Sequence, residues 1–399
     1  MNSRKSIAGI VALAMTICSV AVMPTASILS HADSVTLGDA NGSGGVTGTD
    51  AAYINSYLIG AVHPTDGQFT AMDINKDGIV DKTDSQVILS KLAHGDSFLE
   101  TTSSFYSLPS DTSAEYYKHT YGSNPNTSYY SIATNGTITV LNNNVSLSSS
   151  DNDFDFESAE EEENDNIRYD SGFDPDNDNC EPAKVFTNKA MTSGFVVDSN
   201  VIATAAHNIV HNGQFDNYVY VRVHQTNYSH TGVIAEGYAA SVHIPYHYIY
   251  PDANHPQADY DYALIYIEED EQGEDVDLSD YTADLGIISD EFMDSNNTQF
   301  NKDAELSGYA LFNDGNDFRR YKTSGSICSP FGNQCFYANY PFSARMTGGM
   351  VYKETTGVYN ALTKSAIGIQ QRTDSGYSVG MKFNPTLLRF YFQNSSNLS

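Results

Sequence analysis

Two twelve-residue stretches near the N-terminus carry oxygen donors at matched spacing. Asp39, Asn41, Ser43, Thr47 and Asp50 stand at positions 1, 3, 5, 9 and 12 of the first, and Asp73, Asn75, Asp77, Asp81 and Asp84 take the same places in the second. Glycine fills position 6 of each, as Gly44 and Gly78, and the backbone carbonyls of Gly45 and Ile79 fall at position 7. Calcium requires about six to eight hard oxygen ligands, and the glycine lets the chain wrap them round one ion. A single loop of Asp, Asn and Gly is an ordinary turn. Two in tandem, each followed by apolar residues at helical spacing, predict two structural calcium ions.

The elements after the loops narrow this further. Ile54, Tyr57 and Leu58, then Val87, Ile88 and Leu92, recur at helical spacing over 51–59 and 85–92. Too little apolar sequence precedes Asp39 for the entering helix of an EF-hand, and position 12 is Asp rather than Glu in both loops. Duplicated loop–helix units of this kind, over residues 36–95, resemble a type I dockerin, the module that plugs an enzyme into a cohesin on a scaffold protein. The resemblance implies a cohesin partner, attachment to a secreted multi-enzyme (cellulosome-type) complex, and cohesin selectivity at loop positions 10 and 11. Those positions are Gly48 and Thr49 in one repeat, Lys82 and Thr83 in the other. The unlike pairs weigh against two interchangeable binding faces. Ser43 replaces the usual Asp at position 5, which weakens the first site. So small a module has little core, so its ions should act as staples. A chelator is then expected to abolish cohesin binding without touching the chemistry far downstream.

The 399 residues hold two domains plus linkers. Arg4 and Lys5, an apolar run over 7–22 and small residues ahead of Ala26 and Ala32 predict a secretory signal peptide over 1–32, too short and wrongly flanked for a membrane span. Its removal leaves Cys180, Cys328 and Cys335. Cys328 and Cys335 bracket a short turn, and either a small disulfide loop or three reduced thiols fits the pattern. A net charge of −30 argues against nucleic acid and anionic membrane as partners. No tryptophan is present to form a flat indole platform for polysaccharide.

Residues 96–150 are rich in Ser, Thr, Asn and Tyr, with one alternating stretch at 137–141 that reads as an isolated strand. The following 151–179 is strongly acidic and includes Glu160 to Glu163. Like charges repel, so 96–180 reads as a linker, with an acidic masking propeptide as the alternative. Over 181–399 the character changes to short β-rich runs, at 192–197, 201–205, 218–223, 232–242, 263–267, 304–310, 322–327, 349–352, 366–371 and 377–383. Gly, Asn, Asp and Pro clusters separate them, which predicts an all-β sandwich or barrel. A closing helix is expected over 385–392, with Pro385 in its first turn.

Within this β region the run Ser193 to Val197, a short turn, and Val201 to His207 resemble the histidine region of trypsin-like peptidases, especially the branch containing glutamyl endopeptidases. Asp261, opening Asp-Tyr-Ala-Leu-Ile, resembles the segment with that family's catalytic aspartate. Residues 367–370, Ile-Gly-Ile-Gln, resemble the strand lining the primary specificity pocket, and put Gln370 where a glutamyl endopeptidase has histidine. The resemblance spans about 182–392 and implies two β-barrels with a site between them. His207 would be the general base, Asp261 would hold its tautomer, and a hydroxyl at Thr347 would attack the carbonyl. Asp259 is a rival for the aspartate. Asp261 is preferred because the apolar Ala263 to Ile265 follows it.

The nucleophile segment departs from the family's Gly-x-Ser-Gly-(Gly/Ser)-Pro. Here it reads Arg345-Met346-Thr347-Gly348-Gly349-Met350. The extra methyl of Thr347 crowds a carbonyl and stiffens χ1. Arg345 replaces the glycine whose N–H, with that of Thr347, would bind the oxyanion. Met350 replaces the proline that fixes the next strand, and Ser343 lacks the following glycines. Two readings follow: a serine-type peptidase with threonine as nucleophile, acting on protein or peptide, and a degenerate peptidase fold that binds peptides as a regulatory module. A polysaccharide hydrolase has no paired-carboxylate pattern in its favour.

Overall fold

The structure of the protein, a computed structural model, describes residues 35–95, 98, 101–102, 114–133, 137–147, 168–169, 182–224, 233–270, 272–293, 300–309, 320–356, 362–374, 376–383 and 387–391. The expected signal peptide, Cys180 and nearly all of the acidic 151–179 lie outside them. Among the described residues no helix is long and apolar enough to cross a membrane.

In the N-terminal module the loops and helices share residues. Helix α1 (Gly48–Leu58) is capped by Thr47 with Asp50 at its third position, and α3 (Lys82–His94) by Asp81 with Asp84. Loop positions 9 and 12 are therefore also the two members of a capping box, so loop closure and helix nucleation are one event. Helix α2 (Asp66–Met72), absent from the sequence reading, leads directly into the second loop. Its own capping box, Thr65 with Gln68, was the available signal. Ile54, Tyr57, Leu58, Phe69, Met72 and Ile88 form the module's core.

The larger part begins with β1 (Ala114–Thr120), β2 (Asn126–Ile132), β3 (Ile138–Asn143), β4 (Pro182–Thr187) and β5 (Met191–Asp198). It continues with β6 (Val201–Thr204), β7 (Val219–His224), β8 (Val233–Tyr238), β9 (Ser241–Pro245) and β10 (Ala263–Tyr266). These ten form one antiparallel sheet in the order β8-β7-β4-β5-β6-β10-β9-β1-β2-β3. The segment 114–143, read from sequence as linker with one isolated strand, thus supplies three strands. Tyr116 and Tyr130 are almost fully buried, and the tyrosine pairs Tyr116-Tyr117 and Tyr129-Tyr130, residues of high β-propensity, were the signal passed over.

Six further strands are β11 (Asp303–Tyr309), β12 (Arg320–Phe331), β13 (Cys335–Ala338), β14 (Met350–Thr356), β15 (Leu362–Asp374) and β16 (Tyr377–Lys382). Their order is β15-β14-β11-β12-β13-β16, and pairing of β16 with β15 closes the barrel. Closure removes sheet edges and encloses Leu306, Phe336, Val351 and Ile367. Period-two alternation explains the unbroken apolar runs. Phe195, Val201, Ala203 and Leu264 face the core shared with the barrel, while Val196, Ile202, Ala263 and Ile265 face the interior of the first sheet.

Residues 387–391 are helical and close the shared core, as the expected terminal helix required. Phe390 stacks on Tyr116 with ring centroids 3.9 Å apart, and Leu388 enters the core of the N-terminal module. The module is therefore packed against the β region. Ile79–Val80 pairs antiparallel with Ile287–Ile288, while the neighbouring Asp284–Leu285 pairs parallel with β15.

Candidate functional site

Antiparallel pairing brings His207 and Asp261 to the same end of the first sheet. Strand β6 leads through Ala205 into the 3₁₀ turn Ala206–Asn208, and Thr204 lies opposite Ala263, the first residue of β10. His207, just past the end of one strand, therefore meets Asp261, just ahead of the other. Asp261 Oδ2 is 2.7 Å from His207 Nδ1, and Asp261 Oδ1 accepts the His207 backbone N–H at 3.0 Å. One carboxylate thus holds both the ring and the main chain of the histidine. Asp261 is 1 % exposed and His207 7 %.

The barrel supplies the hydroxyl. Thr347 precedes β14, and the Gly349 carbonyl accepts from the Gln370 N–H at 3.0 Å, while Gly348 N–H donates to Gln370 O at 2.8 Å. Thr347 Oγ1 lies 2.7 Å from His207 Nε2 and donates to Gln371 O at 2.8 Å. A hydroxyl has one proton, so these two acceptors compete for it whenever Asp261 keeps the imidazole proton on Nδ1. Thr347 is fully excluded from solvent.

The first sheet also clamps the segment around Thr347. Ser193 N–H and Asn208 Nδ2 both donate to Thr347 O, at 3.0 and 3.2 Å. Ser193 Oγ accepts from Tyr309 N–H at 2.8 Å and donates to Arg345 O at 2.9 Å. Gly348 has φ +80°, and a Cβ there would stand 2.1 Å from Ser193 O, so only glycine permits this approach. Sequence reasoning missed Ser193 and Asn208 because neither carries a local motif.

Arg345, expected to contribute an oxyanion N–H, lies in a 3₁₀ turn (Ala344–Met346) closed by Met346 N–H to Ser343 O at 2.8 Å. Its guanidinium reaches back to Met191 O at 3.2 Å. Ser343 Oγ makes no hydrogen bond, to His207 or any other described group.

Three neighbouring residues are held by other partners. Asp259, the rival to Asp261, accepts from Gln334 N–H at 3.1 Å, and burial raises its pKa. Gln370 is fully buried, its Oε1 accepting from Tyr340 OH at 2.8 Å and its Nε2 donating to Arg372 O at 3.1 Å, so both ends of the amide are taken inside the barrel. Arg372 lies within β15 and stacks 5.4 Å over Phe331.

Cys328 and Cys335 are both free thiols. Cys335 faces Phe331, whereas Cys328 sits in the register shift further down the hairpin, so they are not cross-strand partners and no small disulfide loop forms. Burial, chiefly, pushes the Cys335 thiol well up, which makes it inert.

His247, Asp252 and His255 place possible ligand atoms within 4.8 Å of one another. The two rings stack at 3.9 Å and 11°. Ring lone pairs lie in the ring plane, so parallel rings do not aim at one ion. The cluster braces the turn before Asp261.

The two loops repeat one network. Asp39 accepts from the N–H groups of Ser43 and Gly44, both at 2.9 Å, and Asp73 from those of Asp77 and Gly78, at 3.1 and 3.0 Å. Asp50 and Asp84 accept the N–H groups of Thr47 and Asp81, at 2.8 and 2.9 Å. In the second loop burial and the carboxylates of Asp73 and Asp81 push Asp77 up to about 7 and Asp84 well up. Anions crowded so closely need a cation, and an all-oxygen set of this spacing suits calcium.

Residues 37–93 match the family described as Dockerin type I domain. Such domains bind calcium and indicate extracellular, cellulosome-type attachment. The solved structure of a glutamyl endopeptidase in complex with MPD is similar at 15 % identity and a TM-score of 0.44, over 59 % of this chain and 98 % of that one. No curated protein matches.

Proposed function

We propose that this chain is a scaffold-docked, peptidase-like hydrolase using Thr347 as nucleophile. His207 Nε2 takes the proton as Thr347 Oγ1 bonds to the peptide carbonyl carbon, and returns it to the leaving amine as the C–N bond breaks. Water then hydrolyses the acyl ester by the same base. Asp261 holds His207 on the Nδ1–H tautomer and stabilises its protonated form. The oxyanion would be met by the N–H groups of Thr347 and Arg345. The observation that carries this reading is the continuous pair of 2.7 Å contacts from Thr347 Oγ1 through His207 to Asp261.

The N-terminal module would bind one calcium ion in each loop: Asp39, Asn41, Ser43, Gly45, Thr47 and Asp50 in the first, Asp73, Asn75, Asp77, Ile79, Asp81 and Asp84 in the second. It would attach the protein to a cohesin and so place hydrolysis on a secreted multi-enzyme scaffold.

The test is hydrolysis of a denatured protein substrate by the purified chain, with His207→Ala alongside. Activity unchanged in that variant would sink the assignment.

A second reading is favoured by the complete burial of Thr347 and by the Gln371 carbonyl that competes for its proton. In it the β region binds peptides without cutting them. Hydrolysis found only in Thr347→Ser would support that reading.

A further inference from the structure

The two repeats of the N-terminal module have equivalent sequences and internal bonding, yet opposite surroundings. Thr49 and Thr83, both at loop position 11, each accept from the asparagine at position 3, at 3.0 and 3.4 Å. Thr49 is exposed, while Thr83 is 0 % exposed. Position 9 repeats the contrast, with Thr47 exposed and Asp81 fully buried, and so does position 7, with Gly45 exposed and Ile79 fully buried. The hydrogen bonds inside the loops are matched, so they do not account for this difference.

The β region accounts for it. Ile79 and Val80 pair with Ile288 and Ile287, and Asp81 Oδ2 accepts from Ser365 Oγ of β15 at 2.7 Å. Lys82 Nζ lies 3.4 Å from Asp284 Oδ1. A Cβ on Gly78 would stand 2.9 Å from the Phe292 ring, so the turn of the second loop also lies against this face. Two-residue strand pairing, a buried side-chain hydrogen bond and an ion pair together make a fitted contact.

The exposed remainder runs the other way. Helix α3 is buried at its start, at Thr83 and Ser85, and open towards its end, where Leu89 is 50 % and Leu92 37 % exposed. These two are spaced to share one face of the helix. Gly48 and Thr49 at the start of α1 are exposed as well.

We propose that the second repeat is committed to the chain's own barrel, so that a cohesin docks in one orientation only, through Gly48 and Thr49 and the open end of α3 with Leu89 and Leu92. This rests on the dockerin reading. It removes Thr83 from the docking face and ties Lys82, whose side chain stays 54 % exposed, to Asp284, and it places the second calcium loop against β15, the strand whose Gln371 carbonyl contacts the Thr347 hydroxyl. The second calcium loop then touches β15 at Ser365, six residues before Gln371 on the same strand.

The test is amide hydrogen exchange on the full chain in calcium, free and with type I cohesin modules as probe. The free chain should show slow exchange over 79–83 and 284–288 and faster exchange over 45–49. A bound cohesin should add protection over 46–53 and 88–94 and leave 79–83 and 284–288 unchanged, and Thr49→Arg should weaken binding by about tenfold or more. Protection gained over 81–86 with loss at 284–288 would overturn the proposal, because the module would then have swung off the barrel to dock. If no cohesin binds, the dockerin reading fails. The covered face is then decided by the free chain alone, where fast exchange over 79–83 refutes it.

Discussion

The two halves of the candidate site hold their polar groups in different ways. On the sheet side Asp261 has both oxygens bonded to His207, one to the ring and one to the main chain. That half is complete without the barrel. On the barrel side the Thr347 hydroxyl is shared between His207 Nε2 and Gln371 O, and the arginine ahead of it is turned back to Met191. The His207–Asp261 pair is thus fully built, and under the proposed function the parts that would meet a substrate carbonyl are the altered ones. Rate should therefore be limited by the hydroxyl half, while loss of either half should be severe because the three residues act as a unit.

The largest effect expected is from His207→Ala, which should lower single-turnover peptide hydrolysis by about four to six orders of magnitude. A loss below about tenfold would show the barrel half working without the base, and would break the comparison. Next is Asp261→Asn, which leaves the packing nearly intact but offers an amide to Nδ1. The wrong tautomer should cost about 10⁴-fold in the same assay. Thr347→Ser tests the barrel half directly. Removing the methyl should raise turnover by about tenfold, equivalent to about 1.4 kcal/mol off the barrier. An unchanged rate there would move the limitation elsewhere. The smallest effect expected is from Asn208→Ala, which removes one of two described donors to the Thr347 carbonyl. Urea unfolding should show a stability loss of about 1–2 kcal/mol, with the sheet side otherwise unaltered.

Much of the fold was legible because its signals are local. Strands β5, β6, β10, β15 and β16 coincide with apolar runs bounded by turn residues, and α1 and α3 overlap the helical stretches at 51–59 and 85–92 but start three residues earlier, because loop residues cap them. The strands passed over carry paired tyrosines in a Ser/Tyr/Asn-rich background, where Tyr116 and Tyr130 meet partners more than a hundred residues away. His207 and Asp261 were legible because each sits at the end of an apolar strand. Ser193 and Asn208 were not, since a serine inside a strand has no signature until the barrel carbonyl it clamps is in place.

The limits divide along that line. Sequence alone determined the loop spacing and the residue types of the candidate triad, because each rests on spacing within a dozen residues or on a strand's own periodicity. Only the tertiary structure decided that Ser193 and Asn208 hold the Thr347 carbonyl, that both ends of the Gln370 amide are bonded inside the barrel, and that the second calcium loop lies against β15. Those outcomes depend on which buried groups meet across long separations, and an unpaired buried polar group costs enough to fix the answer once the chain has closed.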